Sequence, residues 1–301
     1  MSEVMNKLLD GQRWASTLQR WRRRIAHRPR YHLAVYAIMY NEAHILREWI
    51  DAHLREGVEH FFLLDHGSTD NTAEVIADHV AAGRVTVQRL GHNQGSLDHL
   101  RAVHMEPALA ASEWLLVQDL DEFTYRTQPG ATVSDYLRSL PASVDQVAVP
   151  WVLFGSGGHV AQPASVLQGC TRSEDMGLRA TLSDADRPWH VKSIVRSRRL
   201  RALHVHMHAV DGQTIVPNAE RTVVTGHFFI PNHLAAALDG FALLQNHYVH
   251  QSWAFYLQKM QRKGYMLEQK AGKASYTDER WVREEGLINA VENTLLLDRQ
   301  G

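Results

Sequence analysis

With 301 residues, 45% of them hydrophobic and 22% charged, the chain is long enough for one large α/β domain or two small ones and has an ordinary globular composition. A net charge of -1 and a pI near 7.0 exclude the basic footprint of a nucleic-acid binder. The single cysteine, Cys170, excludes an intramolecular disulfide and a multi-cysteine zinc site, and is expected to be a buried small apolar residue.

The first element predicted is a basic amphipathic helix over residues 1–30. Arg13, Arg20, Arg22, Arg23, Arg24, Arg28 and Arg30 surround Trp14, Leu18, Trp21 and Ile25, which are spaced 4, 3 and 4 and so share one helical face. Two roles stay open: peripheral contact with an anionic membrane surface, or packing on the domain or a partner, which the short apolar stripe favours. No run approaches the roughly 18 apolar residues of a membrane span, and a secretory apolar core is missing. The expected location is cytoplasmic, with any membrane contact peripheral and at the inner face.

From His32 onward strands and helices alternate. Strands are predicted at 33–39, 60–65, 85–90 and 114–118, and helices at 42–55, 72–82 and 96–111. Ser68, Thr69, Asp70 and Asn71 offer caps for the second helix, and Gly83 closes it. Such alternation implies right-handed crossovers and a mostly parallel sheet. Beyond Pro129 the pattern predicts strands at 147–154, 192–196 and 203–208, a polar loop or lid at 171–187, and helices at 234–244, 252–263 and 277–297. The expected organisation is the N-terminal helix followed by a single domain over 31–301, with a helical C-terminal extension from about 234.

The chemistry concentrates at strand ends. The apolar run Trp114-Leu115-Leu116-Val117 reads as a strand buried on both faces, and it delivers Asp119 and Asp121 at its end. Side chains two apart on an extended segment face the same way, and open α/β sheets bind ligands at the carboxyl ends of their strands. Two carboxylates there suit a hard divalent cation holding a phosphate or diphosphate. The same edge should gather Asn41 and Glu42 after the first strand and Asp65 after the second. Asn93, opening the third helix, is placed to present backbone N–H groups, with Arg101 one to two turns further on. His190 and Lys192 share a strand face, and Lys192 and Arg196 could reach phosphate oxygens. His204, His206 and His208 alternate and, on a strand, would share one face.

The ordered set Asn41-Glu42, Asp65 with Gly67-Ser68-Thr69-Asp70, and Asp119-Leu120-Asp121-Glu122-Phe123 resembles nucleotide-sugar glycosyltransferases of the GT-A fold. Within them it is most similar to glycosyltransferase family 92 and related bacterial family 2-like enzymes. Phe154-Gly155-Ser156-Gly157-Gly158-His159, His190 to Arg196, His204-Val205-His206 and Asn246-His247-Tyr248 before Ser252 carry the narrower likeness, which runs from about Tyr31 to Gly264. His66, where relatives usually carry Asn or Asp, and Ser197, where they often carry Pro, depart from the pattern.

The resemblance implies a Rossmann-like, mostly parallel sheet flanked by helices. It also implies inverting transfer of a sugar from a nucleoside diphosphate, UDP favoured, to a glycan or lipid-linked acceptor in surface glycan or polysaccharide synthesis. Mn²⁺ or Mg²⁺ is the implied cofactor, held by Asp121, with Asp119 beside the metal or the ribose and His206 as the distal ligand. Asn41, Glu42, Asp65, Asn93, Arg101, Asp119, His190, Lys192 and Arg196 are expected around the donor. Glu174 and Asp175 are the nominated base, with Asp211 and His159 as alternatives. Two rival readings are a haloacid dehalogenase-type phosphatase, which Phe123 and the mid-chain motif oppose, and an inactive sugar-binding relative, which the intact acidic pair opposes.

Overall fold

The computed structural model describes residues 28–91, 97–185, 187–226, 229–259 and 278–299, so most of the N-terminal helix predicted above falls outside the described residues. The first half follows the expected alternation. Strand β1 (Tyr31–Met39) leads to helix α1 (Ala43–Arg55), β2 (His60–Asp65), α2 (Ala77–Ala81), β3 (Val85–Arg89), α3 (Leu97–His104), α4 (Glu106–Ala111) and β4 (Ser112–Val117). β1 pairs in parallel with both β2 and β4, and β2 with β3. The helix expected over 96–111 is two helices. Pro107 lies in the first turn of α4, and in a continuous helix it would remove a hydrogen bond and crowd the preceding turn.

The second half closes the sheet with mixed strands. They are β5 (Glu122–Arg126), then, after helix α5 (Val133–Arg138), β6 (Val144–Leu153), and β8 (Trp189–Arg196); the short α6 (Val166–Gly169), β7 (Arg172–Ser173) and α7 (Met176–Ala180) lie between β6 and β8. After β8 come the two-stranded ribbon of β9 (Leu200–Ala202) and β10 (Ala209–Val210), then β11 (Gln213–Ile215), β12 (Phe229–Ile230) and β13 (Leu243–His247). Among the described residues the main path runs β3-β2-β1-β4-β8-β6-β13-β5, with β11 beside β6 and β12 beside β8. β8 is antiparallel to both β4 and β6, and β5 is antiparallel to β13. This is the α/β architecture with a mostly parallel sheet flanked by helices that the sequence led us to expect.

Four expectations are corrected. Residues 234–244 are not one helix: a 3-10 stretch (Asn232–Gly240) ends and β13 enters the sheet, so the α-helices of the C-terminal part start only after β13, at residue 253. The apolar run could not reveal this, because the buried positions of β13 include Gln245 and Asn246, which hydrogen bond internally. Residues 203–208 form a bend rather than a strand, their backbone held by side chains: His204 N–H donates to His208 Nδ1 and His208 N–H to Gln146 Oε1. The segment 171–187 is not a bare loop, since it contains β7 and α7. The last helix, α8 (Asp278–Ile288), is shorter than expected and hands over to β14 (Val291–Glu292), which pairs with β7.

Packing explains why the sheet is so apolar. Ile45, Leu46, Trp49 and Ile50 of α1 are buried on one face, each aliphatic side chain there contributing roughly 1.5–3 kcal/mol. The other face is covered by Leu100, Met105, Ala108 and Leu109 from α3, α4 and their junction. α8 fastens the loop after β6. Its Glu285 accepts from the Ser156 hydroxyl at 2.6 Å and lies 2.9 Å from His250 Nδ1, while Asn289 Oδ1 accepts from Gly157 N–H. A side chain at Gly155 would overlap Asn289, so only glycine admits this approach. Cys170 is buried, as its composition-level reading expects.

Candidate active site

The carboxyl ends of β1, β2, β4, β6 and β13 lie on one edge, together with the start of β5 and β8. Asp119 and Asp121 sit in the turn from β4 to β5 at that edge. The turn is tied down from three sides. Asp119 N–H donates to Glu122 Oε2 at 2.9 Å, Tyr248 N–H donates to the Asp121 carbonyl at 2.8 Å, and Trp49 Nε1–H donates to the Glu122 carbonyl at 2.8 Å.

The two aspartates have different cations. Asp119 Oδ2 lies 2.9 Å from Lys192 Nζ, and its Oδ1 lies 2.9 Å from the Arg101 guanidinium. Asp121 Oδ2 lies 2.6 Å from Lys259 Nζ and 3.6 Å from His247 Nε2. Recession into the protein opposes ionisation of Asp119, but Lys192 and Arg101 outweigh it and hold the carboxyl at about 2. Burial likewise opposes the charge of Asp121, and Lys259 and His247 hold it well below the usual carboxylate range. Burial pushes Glu122 up to about 7 against the pull of Lys192, 3.5 Å away. Lys192, 2% exposed, is pushed above its ordinary value because Asp119 and Glu122 outweigh its burial.

Strand register builds the floor beside this turn. Gln245 of β13 lies opposite Trp151 of β6 on one side and Thr124 of β5 on the other, and His247 lies opposite Glu122. The Trp151 ring packs edge-on against His247 at 4.4 Å and His206 at 5.2 Å between centroids, and near His190 at 5.4 Å. Beneath it, Gln118 Nε2 and Thr124 N–H both reach His53 Nε2, whose Nδ1–H donates to the Trp49 carbonyl. Burial lowers His53 to about 4, which keeps it neutral.

The structure therefore brings Arg101, Lys192, Asp119 and Asp121 together. Asp65 is buried nearby at the end of β2, accepting from Ser68 N–H at 2.8 Å with Arg89 Nε 3.6 Å away. Asn41, at φ +55°, knits the loops after β1 and β2: its Oδ1 accepts from Thr69 N–H at 2.7 Å, while Glu42 N–H donates to Thr72 Oγ1. Asn93 lies outside the described residues. His190 stacks on His206 at 4.8 Å.

Other expected residues stand elsewhere. Arg196 is a correction: it lies at the far end of β8, paired with Glu113 at 2.7 Å and stacked 4.2 Å over Trp114, four residues and roughly 13 Å along an extended strand from Lys192. The imidazole beside Asp121 is that of His247 and not His206, whose Nδ1–H donates to the Val191 carbonyl at 2.9 Å. Among the described residues no group of three His, Cys, Asp or Glu side chains is arranged to hold a metal ion. Glu174 is buried, with Oε1 accepting from Leu153 N–H and Oε2 paired to Arg179 and Arg187. Asp175 caps α7 by accepting from Gly177 and Leu178 N–H. Of the alternatives, Asp211 pairs with Arg201, and His159 Nε2 contacts the Gly169 carbonyl.

Residues missed from sequence are His247, Lys259, Glu122 and Trp151. The tripeptide Asn246-His247-Tyr248 was the available signal for the first. Lys259 stands one turn from Phe255, over whose ring it sits at 4.7 Å, and nothing in its spacing marked it.

The bend at 203–208 yields a pH prediction. Burial lowers His208 to about 3, and its Nδ1 already accepts from His204 N–H. A histidine with a depressed pKa adds stability that is full above its unfolded value near 6.5 and is lost as pH falls toward its folded value. The stability advantage of wild type over His208→Gln, measured by urea unfolding, is therefore expected to shrink below pH 6.5 by about 1.4 kcal/mol per pH unit. A gap independent of pH between 7 and 4 would contradict it.

Comparison with known proteins identifies the sequence class. The sequence model of Glycosyltransferase family 92 matches residues 33–265. A glycosyltransferase family 92 protein of Oryza sativa subsp. japonica is 28% identical over 220 residues, covering 69% of this chain and 34% of its own length. One of Ricinus communis is 27% identical over 220 residues, covering 67% and 36%. The chain thus spans about a third of the length of these curated relatives. Among solved structures, S. aureus TarS 1–349 in complex with UDP aligns at a TM-score of 0.34 and 17% identity, over 55% of this chain and 47% of that one. The Pyrobaculum calidifontis mannosyltransferase PcManGT, in complex with GDP-Man and Mn²⁺, aligns at 0.29 and 17%, over 44% and 41%. Likeness of that degree says nothing about function. The family model extends from β1 past Lys259 and takes in both aspartates, and by it the chain belongs to glycosyltransferase family 92.

Proposed function

We propose that the protein transfers a sugar from a nucleoside diphosphate, UDP favoured, to a hydroxyl of a glycan or lipid-linked acceptor, with inversion and with a divalent cation. One observation carries this reading. Two charged aspartates at the sheet edge are ringed by Arg101, Lys192 and Lys259, an arrangement suited to a ligand that brings both a cation and a diphosphate. Family membership supports glycosyl transfer over the phosphatase, and the intact charged site supports catalysis over an inactive sugar binder.

The Asp121 carboxylate is the group suited to Mn²⁺ or Mg²⁺. A protein cation, the Lys259 ammonium, already stands on Asp121 Oδ2 with the Val249 carbonyl 3.3 Å away, and an imidazole faces the same carboxylate oxygen. Asp121 and His247 would hold the ion, which when bound would neutralise the leaving diphosphate. Asp119 would act differently. Its bonds to Arg101 and Lys192 hold those two cations in fixed positions, so that their positive charge faces the edge where a diphosphate would lie. The loops joined by Asn41 and Asp65 border the same edge and would take the nucleoside. Inversion requires one base at the acceptor hydroxyl.

The test is a panel of UDP- and GDP-sugars incubated with the protein and Mn²⁺, with release of nucleoside diphosphate measured with and without candidate acceptors. We expect release with a UDP-sugar that EDTA abolishes. No release from any member of the panel would sink the proposal.

A further inference from the structure

We propose that His53 is a positioning residue for the reaction: by accepting from both ends of the β4–β5 turn, it sets where Asp119 and Asp121 stand. The inference rests on the metal-dependent reading above and deepens it. It concerns a side chain buried in the core at 1% exposure.

Two donors converge on one atom. Gln118 Nε2, from the residue just before Asp119, lies 2.6 Å from His53 Nε2. Thr124 N–H, two residues past Glu122, donates to the same nitrogen at 3.3 Å. Gln118 Nε2 also reaches the Glu122 carbonyl at 3.1 Å, so one amide closes the turn across its mouth. His53 Nδ1 lies 2.8 Å from the Trp49 carbonyl, which can only accept. The proton of the neutral ring is therefore on Nδ1, and Nε2 keeps the lone pair that the two donors need. Gln118, Glu122 and Thr124 are all buried, so water cannot take over these bonds.

α1 serves β5 as a neighbouring strand would. β5 ends the main path of the sheet, with β13 as its strand partner among the described residues. On β5's other flank, His53 accepts from Thr124 N–H, and Glu56, the residue after α1, accepts from Arg126 N–H at 3.0 Å. One turn before His53, Trp49 Nε1–H reaches the Glu122 carbonyl at 2.8 Å. The two ties to β5 differ in consequence. Glu56 holds the far end of the strand and pairs there with Arg299 at 3.1 Å. His53 joins the strand to the residue that leads into Asp119. A phenyl ring would fill the same space between Trp49, 4.7 Å away, and Phe123, 5.9 Å away, yet offer the two donors no acceptor. Unpaired buried donors are costly, so the turn would rearrange and carry its carboxylates with it.

The experiment follows nucleoside diphosphate release from the most active nucleotide sugar of the UDP and GDP panel, as a function of Mn²⁺ concentration. It compares wild type, His53→Phe, His53→Gln and Glu56→Gln, with circular dichroism to show that each is folded at the assay temperature. A smaller folded fraction scales kcat and leaves the half-saturating Mn²⁺ concentration where it was; a displaced turn raises that concentration. His53→Phe is expected to raise it about 10–100-fold, the usual worth of a group that orients a metal's ligands. His53→Gln, whose amide oxygen can stand near the position of Nε2, should recover most of the shift. Glu56→Gln should lower the melting temperature and leave the Mn²⁺ dependence unchanged. An unchanged Mn²⁺ dependence in His53→Phe, or an equal shift in Glu56→Gln, overturns the inference and leaves the proposed function standing. A wild type that releases no nucleoside diphosphate, or does so without a divalent ion, overturns the metal-dependent reading and the inference with it. If His53→Phe does not fold, long-range ¹H–¹⁵N correlation on the wild-type imidazole decides: a proton on Nδ1 supports the assignment, and a proton on Nε2 overturns it.

Discussion

Asp121→Ala is expected to reduce sugar transfer by about a thousandfold, the equivalent of the several kcal/mol that a cation at the leaving diphosphate supplies. Asp121 is chosen over Asp119 because of what surrounds each. Removing Asp121 takes a carboxylate from one partly exposed ammonium and from His247, so the fold should persist. Removing Asp119 strands Lys192, which is 2% exposed and whose other carboxylate, Glu122, is 3.5 Å away. Steady-state kinetics with saturating Mn²⁺, beside circular dichroism of each variant, separates the two roles. A variant lacking Asp121 that kept a tenth of wild-type kcat/KM would show that the ion, if one is used, sits elsewhere.

Lys192→Met should be the most destabilising single change at the site. It removes the cation shared by Asp119 and Glu122, leaving Asp119 with Arg101 and the fully buried Glu122 without its ammonium. Breaking a fully buried pair by deleting one partner costs about 3–5 kcal/mol, and because Asp119 is 44% exposed and keeps Arg101 a smaller loss of about 2 kcal/mol is expected, still a large fraction of the roughly 5–15 kcal/mol that stabilises a typical domain. Urea unfolding at pH 7.5 measures it. Adding Glu122→Gln should recover part of the loss, because that carboxyl is pushed up to about 7 and a neutral amide resembles its protonated form. A loss below about 1 kcal/mol would mean that Lys192 is better solvated than its 2% exposure suggests.

The sequence was most legible where pattern and burial agree. β1, β2 and β4 are apolar strands buried by helices, and the ends of β2 and β4 announced Asp65, Asp119 and Asp121 because strand direction alone sets which edge they occupy. It was least legible where polar residues are buried. β5 and β13 bury Thr124, Gln245, Asn246 and Glu122, with the Thr124 hydroxyl donating to Gln245 Oε1 across the strands, so these strands carry no alternation to read. The three histidines at 204–208 looked like one strand face because alternation presumes an extended backbone. A bend held by Gln146 and Ser193 sends His206 toward Val191 and His208 into the interior. Arg196 was misassigned because sharing a strand with Lys192 says nothing of which end faces the ligand.

The position of β13 has a consequence for how the protein is made. It is the last strand to join the main sheet, yet it sits between β6 and β5, both synthesised long before it. Until residues 243–247 leave the ribosome, β5 has no partner in the main sheet and β6 offers a bare flank, the kind of exposed edge that recruits strands from other chains. Completion of the sheet must wait for residues 243–247, and these long-range pairings form slowly. Nascent chains stalled before β13 should thus be the aggregation-prone species and the natural clients of chaperones, while His247 and Lys259, arriving with and after that strand, keep the growing chain without a complete site until the sheet is sealed.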